Sequence, residues 1–251
     1  MTINAQSGVG RIRLFEDFFG IGWMTLANTD DACPAGPFFI GGEGFEDNDA
    51  GAAYLQSDAL SGVVRLTSAN TDQDMTFIGT DKCFDVALMG TLVLETRVRF
   101  VDLDTKAAFI GFTSVLTLDE QIDDIIDYSA GTTITLTAGS LCGFFLSSEL
   151  TDDEDWHMVY NGGTTTGETT SSNIDADDDA VAGEWQVLRL EIDNNGTARW
   201  YIDGVLKQTV AGAISTSTDV GVCVGVAANT TELSIMDVDY VLVEANRDWN
   251  A

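Results

Sequence analysis

The stretch Trp185-Gln186-Val187-Leu188-Arg189-Leu190-Glu191-Ile192-Asp193-Asn194-Asn195-Gly196-Thr197-Ala198-Arg199-Trp200-Tyr201-Ile202-Asp203-Gly204-Val205-Leu206-Lys207-Gln208-Thr209-Val210 decides the fold class. Leu188, Leu190 and Ile192 alternate with Arg189, Glu191 and Asp193, the period of two that sends apolar side chains to one face of a strand and charged ones to the other. Asn195-Gly196 and Asp203-Gly204 then read as two-residue type I′ turns, because Asn, Asp and Gly accept the positive φ angles that match the twist of the flanking strands. Three antiparallel strands in a meander follow.

Outward from this meander, runs rich in β-branched and aromatic residues recur between Gly, Asn, Asp and Thr clusters. They predict strands at 63–67, 91–101, 107–113, 141–146, 157–160, 220–226 and 233–244, beside those at 185–193, 198–202 and 205–210. Many short strands with turn signals between them indicate a β-sandwich or barrel. One segment departs from the pattern. Leu118, Ile122, Ile125 and Ile126 recur at helical spacing, and Thr117 with Glu120 forms a capping box, so a short surface helix is expected over 118–127. The polar segment 161–182, with Thr164-Thr165-Thr166 and Asp177-Asp178-Asp179, reads as a long exposed loop. A chain of 251 residues with 45% hydrophobic content and two prolines buries one core without a marked border, so 1–251 is expected to be a single domain.

Lys and Arg number 11 against 41 Asp and Glu, a formal net charge of −30. Such a surface repels phosphate backbones and anionic headgroups, so neither nucleic acid nor membrane is an expected partner. Self-repulsion also strains the folded state unless salt screens it. No run approaches the roughly 20 apolar residues of a membrane span, and the start lacks the basic and apolar regions of a signal peptide. Synthesis in a cytoplasm is the expectation. Cys33, Cys83, Cys142 and Cys223 form no C-x-x-C pair, so buried free thiols are expected in place of a zinc or redox site.

The chain resembles a family of tailed-phage structural proteins with a concanavalin-A-like, laminin-G-like domain. The resemblance runs through Arg13-Leu14-Phe15-Glu16-Asp17-Phe18-Phe19-Gly20 with Trp23 close behind, then Gly62-Val63-Val64-Arg65-Leu66-Thr67 and Leu94-Glu95-Thr96-Arg97-Val98-Arg99-Phe100. It continues in Ile110-Gly111-Phe112, Trp185-Gln186-Val187-Leu188-Arg189-Leu190 and Tyr201-Ile202-Asp203-Gly204, and closes with Met236-Asp237-Val238-Asp239-Tyr240-Val241-Leu242-Val243. It implies an all-β, concanavalin-A-like antiparallel jelly roll. It also implies a non-enzymatic virion protein that decorates the surface of a phage capsid, contacts other virion proteins and assembles as a homo-oligomer on the particle. Segments 116–137 and 161–182 depart from the family pattern and are where partner-specific contacts are expected.

Concanavalin-A-like sandwiches include lectins and glucanases, which makes a carboxylate pair the first thing to seek. Glu191 and Asp193 share a strand face with Arg189 and Trp185 and resemble the strand-borne acid cluster of family 16 glycoside hydrolases. The second Glu of that cluster is missing, for Asn195 and Gly196 follow, so no partner stands roughly 5–5.5 Å away for retention or 6.5–9.5 Å for inversion. A solvated outer face, and no catalysis, is the expectation. The single histidine, His157, has no G-x-S-x-G elbow to serve. Asp175, Asp177 and Asp179 offer hard oxygen ligands for calcium, against a plain acidic loop; Ala180 replaces the glycine of an EF-hand loop. Trp185, Trp200 and Tyr201 offer stacking faces for a glycan, as on a tail fibre or spike, against a role in filling the sandwich. Arg11, Arg13 and Arg247 concentrate scarce positive charge in the terminal segments 1–13 and 247–251, read as interface arms or as plain flexible ends.

Overall fold

The computed structural model describes residues 10–19, 26–27, 33–45, 49–56, 59–129 and 131–247. In chain order the strands are β1 (Arg11–Glu16), β2 (Leu26–Ala27), β3 (Cys33–Ala35), β4 (Phe38–Gly41), β5 (Ala52–Leu55), β6 (Val64–Thr67) and β7 (Met75–Gly79). They continue as β8 (Leu92–Phe100), β9 (Lys106–Thr113), β10 (Asp127–Ser129), β11 (Thr133–Thr135), β12 (Leu141–Ser147), β13 (Asp155–Asn161) and β14 (Asp175–Asp179). The last five are β15 (Gln186–Ile192), β16 (Ala198–Ile202), β17 (Val205–Val210), β18 (Gly221–Ala228) and β19 (Ile235–Asn246). The two short helices are α1 (Val86–Met89) and α2 (Ile122–Ile125).

One sheet runs β17-β16-β15-β8-β19-β6-β5-β2, with β1 paired to β19 beyond the end of β6; the facing sheet runs β14-β13-β12-β9-β18-β7-β4-β3. Neighbours such as β8 between β15 and β19 are far apart in sequence, as in a jelly roll. Alternating apolar residues close the space between the sheets: Trp156 packs on Phe100 at 5.8 Å from one sheet and Phe144 at 6.2 Å from its own. Each such side chain, fully buried, contributes about 1.5–3 kcal/mol.

The two outer faces differ. On the first sheet, Arg and Glu alternate with buried Leu and Val, as in β8 and β15. The central strands of the second sheet, β7, β9, β12 and β18, are buried along their whole length. Segment 116–137 is the cover. Gly42 and Glu43 donate backbone hydrogen bonds to Leu118 and Glu120, Ile122 and Ile125 are fully buried, and Tyr128 packs on Phe145 at 5.6 Å. Under this cover Gly111 sits opposite Gly143; a Cβ on Gly111 would meet the Cys142 carbonyl oxygen at 2.4 Å, so the pair admits no side chain.

Several expectations need correction. The helix is one turn, and it is not a surface helix: its apolar side lies against the second sheet. Thr117 does bond Glu120, through its N–H at 2.6 Å and hydroxyl at 2.9 Å, but this closes the loop before the helix, whose own capping box is Gln121 with Asp124. Segment 161–182 contains β14, an edge strand paired to β13 and tied down by Lys207–Asp178 at 2.6 Å. The turn at Asn195-Gly196 has three residues: Gly196 N–H bonds the Asp193 carbonyl and Asp193 N–H the Thr197 carbonyl, with only Gly196 at positive φ (77°). Asp203 (49°) and Gly204 (78°) do form the expected turn. Cys142 and Cys223 are buried free thiols, whereas free Cys83 is exposed.

Candidate functional site

The outer face of the first sheet collects seven of the eight arginines of the chain: Arg11, Arg13, Arg65, Arg97, Arg99, Arg189 and Arg199. Six carboxylates answer them there: Glu95, Glu191, Asp193, Asp237, Asp239 and Glu244. The face is close to neutral, so the −30 of the chain is carried elsewhere. Register builds the ladder. Arg189 lies opposite Glu95 on β8 and Tyr201 on β16, and Glu191 lies opposite Arg199. Arg189 Nη1 donates to Glu95 Oε2 at 2.8 Å, and its Nε and Nη2 to Glu191 Oε1 at 2.8 and 2.7 Å. The phenols of Tyr240 and Tyr201 donate to the other oxygens of Glu95 and Glu191, at 2.9 and 3.4 Å. Burial first, then the neighbouring Glu95, pushes the Tyr240 phenol above its ordinary range, which keeps it a hydrogen-bond donor.

A bulge in β19 supplies the second half of the face. Val238 pairs with Val98 and Tyr240 with Arg97, leaving Asp239 as the extra residue, so Asp237, Asp239 and Tyr240 all reach the same side. Asp237 takes Arg65 at 2.7 Å and Arg99 at 2.5 Å; Asp239 takes Arg97 at 2.9 Å. The Trp185 ring lies 4.8 Å from the Arg97 guanidinium and 4.6 Å from that of Arg99. Guanidinium forks, carboxylates and phenols in rows, beside an aromatic ring, can bind and orient a ligand rich in hydroxyls.

Of the three residues proposed for glycan stacking, the structure brings Trp185 and Tyr201 to this face. It removes Trp200, which is fully buried between the sheets and donates its indole N–H to the Gly143 carbonyl at 2.8 Å. Trp185 is itself engaged by two guanidiniums. Asp175, Asp177 and Asp179, the residues offered for calcium against a plain acidic loop, lie in the edge strand β14. Asp175 accepts the Asp177 N–H at 2.7 Å, Asp177 turns the backbone at φ 49°, and Asp179 faces Asp155 across the strand pair. Among the described residues, no three His, Cys, Asp or Glu side chains come together as a metal group. In that strand pair burial, and then Asp179 and Asp175, push the Asp155 carboxyl up to about 7. His157 is fully buried with both ring nitrogens unpartnered, and burial lowers its pKa. The terminal arginines are not free arms as far as the chain is described: Arg11 and Arg13 lie in β1 opposite Asn246 and Glu244, and the Arg247 N–H bonds the Gly10 carbonyl. Residues 1–9 and 248–251, and Trp23, lie outside the described residues.

No family model and no curated protein matches the sequence. Solved structures do match the fold. A protein of unknown function from Shewanella oneidensis MR-1 aligns over 100% of this chain and 91% of its own at TM-score 0.57 and 12% identity. An endo-β-1,4-glucuronan lyase from the fungus Trichoderma reesei aligns over 92% and 94% at TM-score 0.54 and 12% identity. LamAcat from Zobellia galactanivorans aligns over 92% and 96% at TM-score 0.52 and 10% identity. The fold is therefore the concanavalin-A-like, all-β sandwich that the sequence indicates. The expectation of a non-enzymatic chain is overturned. The fold is shared with a glucuronan lyase, so the lack of a glycosidase acid cluster does not exclude catalysis on carbohydrate. Within this chain a carboxylate beside Glu191 is supplied by Glu95, from a strand 96 residues earlier, with Arg189 between them.

Proposed function

We propose that this chain is a carbohydrate-recognition domain and that the outer face of the first sheet is where it meets a glycan. The observation that carries the reading is the ladder centred on Arg189, with Glu95, Glu191, Tyr201 and Tyr240, the near-neutral hydrogen-bonding face of a chain of charge −30. Sugar hydroxyls both donate and accept, and paired forks and carboxylates on a rigid sheet match them without unfavourable net charge. The facing sheet has no comparable surface among the described residues, because segment 116–137 occupies it. The resemblance to tailed-phage structural proteins supports display on a virion.

The test is a glycan array followed by calorimetry on the ligands that bind. Arg189→Ala and Tyr201→Phe should each weaken binding, the first at least tenfold, and the same incubations followed for new chain ends report any turnover. A blank array, or binding indifferent to Arg189→Ala in a folded variant, overturns the proposal. A second reading uses the same face to seat the domain on other virion proteins, since like-charged surfaces are kept apart elsewhere. Release from purified particles by charge reversal at Arg189 would favour it.

A further inference from the structure

Charge is unevenly divided along this face. At the Arg189 end one guanidinium serves two carboxylates, Glu95 and Glu191. At the Trp185 end three guanidiniums, Arg65, Arg97 and Arg99, share two carboxylates, Asp237 and Asp239. Asp237 is divided between Arg65 and Arg99, and its side chain is fully buried, so it presents no negative surface to an incoming ligand. Arg97 and Arg99 keep 37% and 31% of their side chains exposed. Each guanidinium carries five N–H donors. Among the described residues Arg97 donates to an acceptor through Nη1 alone and Arg99 through Nη2 alone. The Trp185 ring holds the two like charges together, at a cost in repulsion that a ligand anion would relieve.

Resting on the glycan reading above, we infer that Arg97 and Arg99, positioned by Trp185, form a subsite for the carboxylate of a uronic acid residue. A planar carboxylate matches the guanidinium fork in a bidentate manner that a hydroxyl cannot reproduce. The ligand would then run from Trp185, where its acidic group is taken, toward Arg189, where Glu95, Glu191 and the two phenols meet hydroxyls. The surrounding −30 acts in the opposite sense at long range. Repulsion reaches about 10 Å at roughly 0.1 M salt and about 3 Å at 1 M, whereas the direct contact lies inside both distances.

The experiment is calorimetry with a uronate hexasaccharide, its carboxyl-reduced neutral counterpart and a sulfated hexasaccharide. The intact chain should bind the uronate at least tenfold more tightly than the neutral form. Arg97→Gln and Arg99→Gln should each bring that ratio below about threefold, and Arg97→Lys, which keeps the charge and loses the fork, should lower it as well. Arg189→Ala should weaken both ligands by similar factors and leave the ratio in place. Equal affinity for uronate and neutral chains would overturn the subsite and leave the glycan face standing. Tighter binding of the sulfated chain would overturn the assignment to a carboxylate. No binding of any of the three would remove the subsite together with the reading on which it rests.

Discussion

Replacing Asp155 by Asn should make the protein more stable at pH 8 and leave it nearly unchanged near pH 4. Asp155 and Asp179 are register partners on β13 and β14; one Asp155 oxygen is buried without a hydrogen-bond partner, and Asp175 adds a third carboxylate nearby. The folded state therefore raises this carboxyl from an ordinary 3.8 to about 7. At roughly 1.4 kcal/mol per pH unit the displacement is worth at most about 4 kcal/mol. Asp155 is only partly buried, and solvent screening brings the figure to about 1–2 kcal/mol. The sign follows from linkage. Below the unfolded value both states hold the proton and nothing is lost. As pH rises through the interval up to about 7 the unfolded chain ionises freely while the folded one resists, and stability falls until the folded carboxyl has also ionised. Asn has no proton to lose, so it removes this decline. Urea unfolding of both proteins between pH 4 and pH 8, compared at each pH, isolates the contribution, because every other acid is common to the two. A difference between them that stays constant across the range would refute the reasoning.

Trp200→Ala should cost about 3–5 kcal/mol, as expected for a large buried aromatic, and Trp200→Phe about 1–2 kcal/mol through the stranded Gly143 carbonyl; denaturant unfolding measures both, and neither should change glycan affinity in the folded fraction. Asp102→Ala should destabilise by about 2 kcal/mol by leaving the buried Lys106 ammonium without its partner at 2.6 Å, and adding Lys106→Met should recover most of it in the same assay. Raising sodium chloride from about 0.1 to about 1 M should raise the melting temperature by several degrees, since it shortens the range of self-repulsion in a chain of charge −30; calorimetry showing a fall would contradict the premise.

What the sequence revealed and what it hid follow from the range of the interactions involved. The meander over 185–210 was legible because alternation and turn residues are local, and the observed strands Ala198–Ile202 and Val205–Val210 coincide with the predicted ones. Met75–Gly79 escaped because it is buried on both faces and so has no alternation to read. Asp175–Asp179 escaped because four aspartates in five residues oppose strand propensity, and pairing with β13 together with side chains distant in sequence, Gln186 and Lys207, holds it in place. The site was half visible. Arg189, Glu191 and Asp193 could be placed on one face, but not Glu95 beside them, because the pairing of β8 with β15 joins residues about ninety positions apart and leaves no local trace.

The bulge in β19 is the sharpest instance. Read as a regular strand, Asp237-Val238-Asp239-Tyr240 would send both aspartates outward and Tyr240 into the core with Val238. One extra residue at Asp239 resets the phase, so that Val238 and Val241 are buried, Tyr240 reaches Glu95, and Asp239 still meets Arg97. Without that reset Glu95 would lose its phenol, and an unpaired tyrosine hydroxyl would enter the core at a cost of about 1–3 kcal/mol. With it, one short segment supplies two acids to three arginines and a donor to the Arg189 ladder. The phenol at the Arg189 end thus depends on a register shift of a single residue, which leaves the two aspartates of the Trp185 end on the outer face.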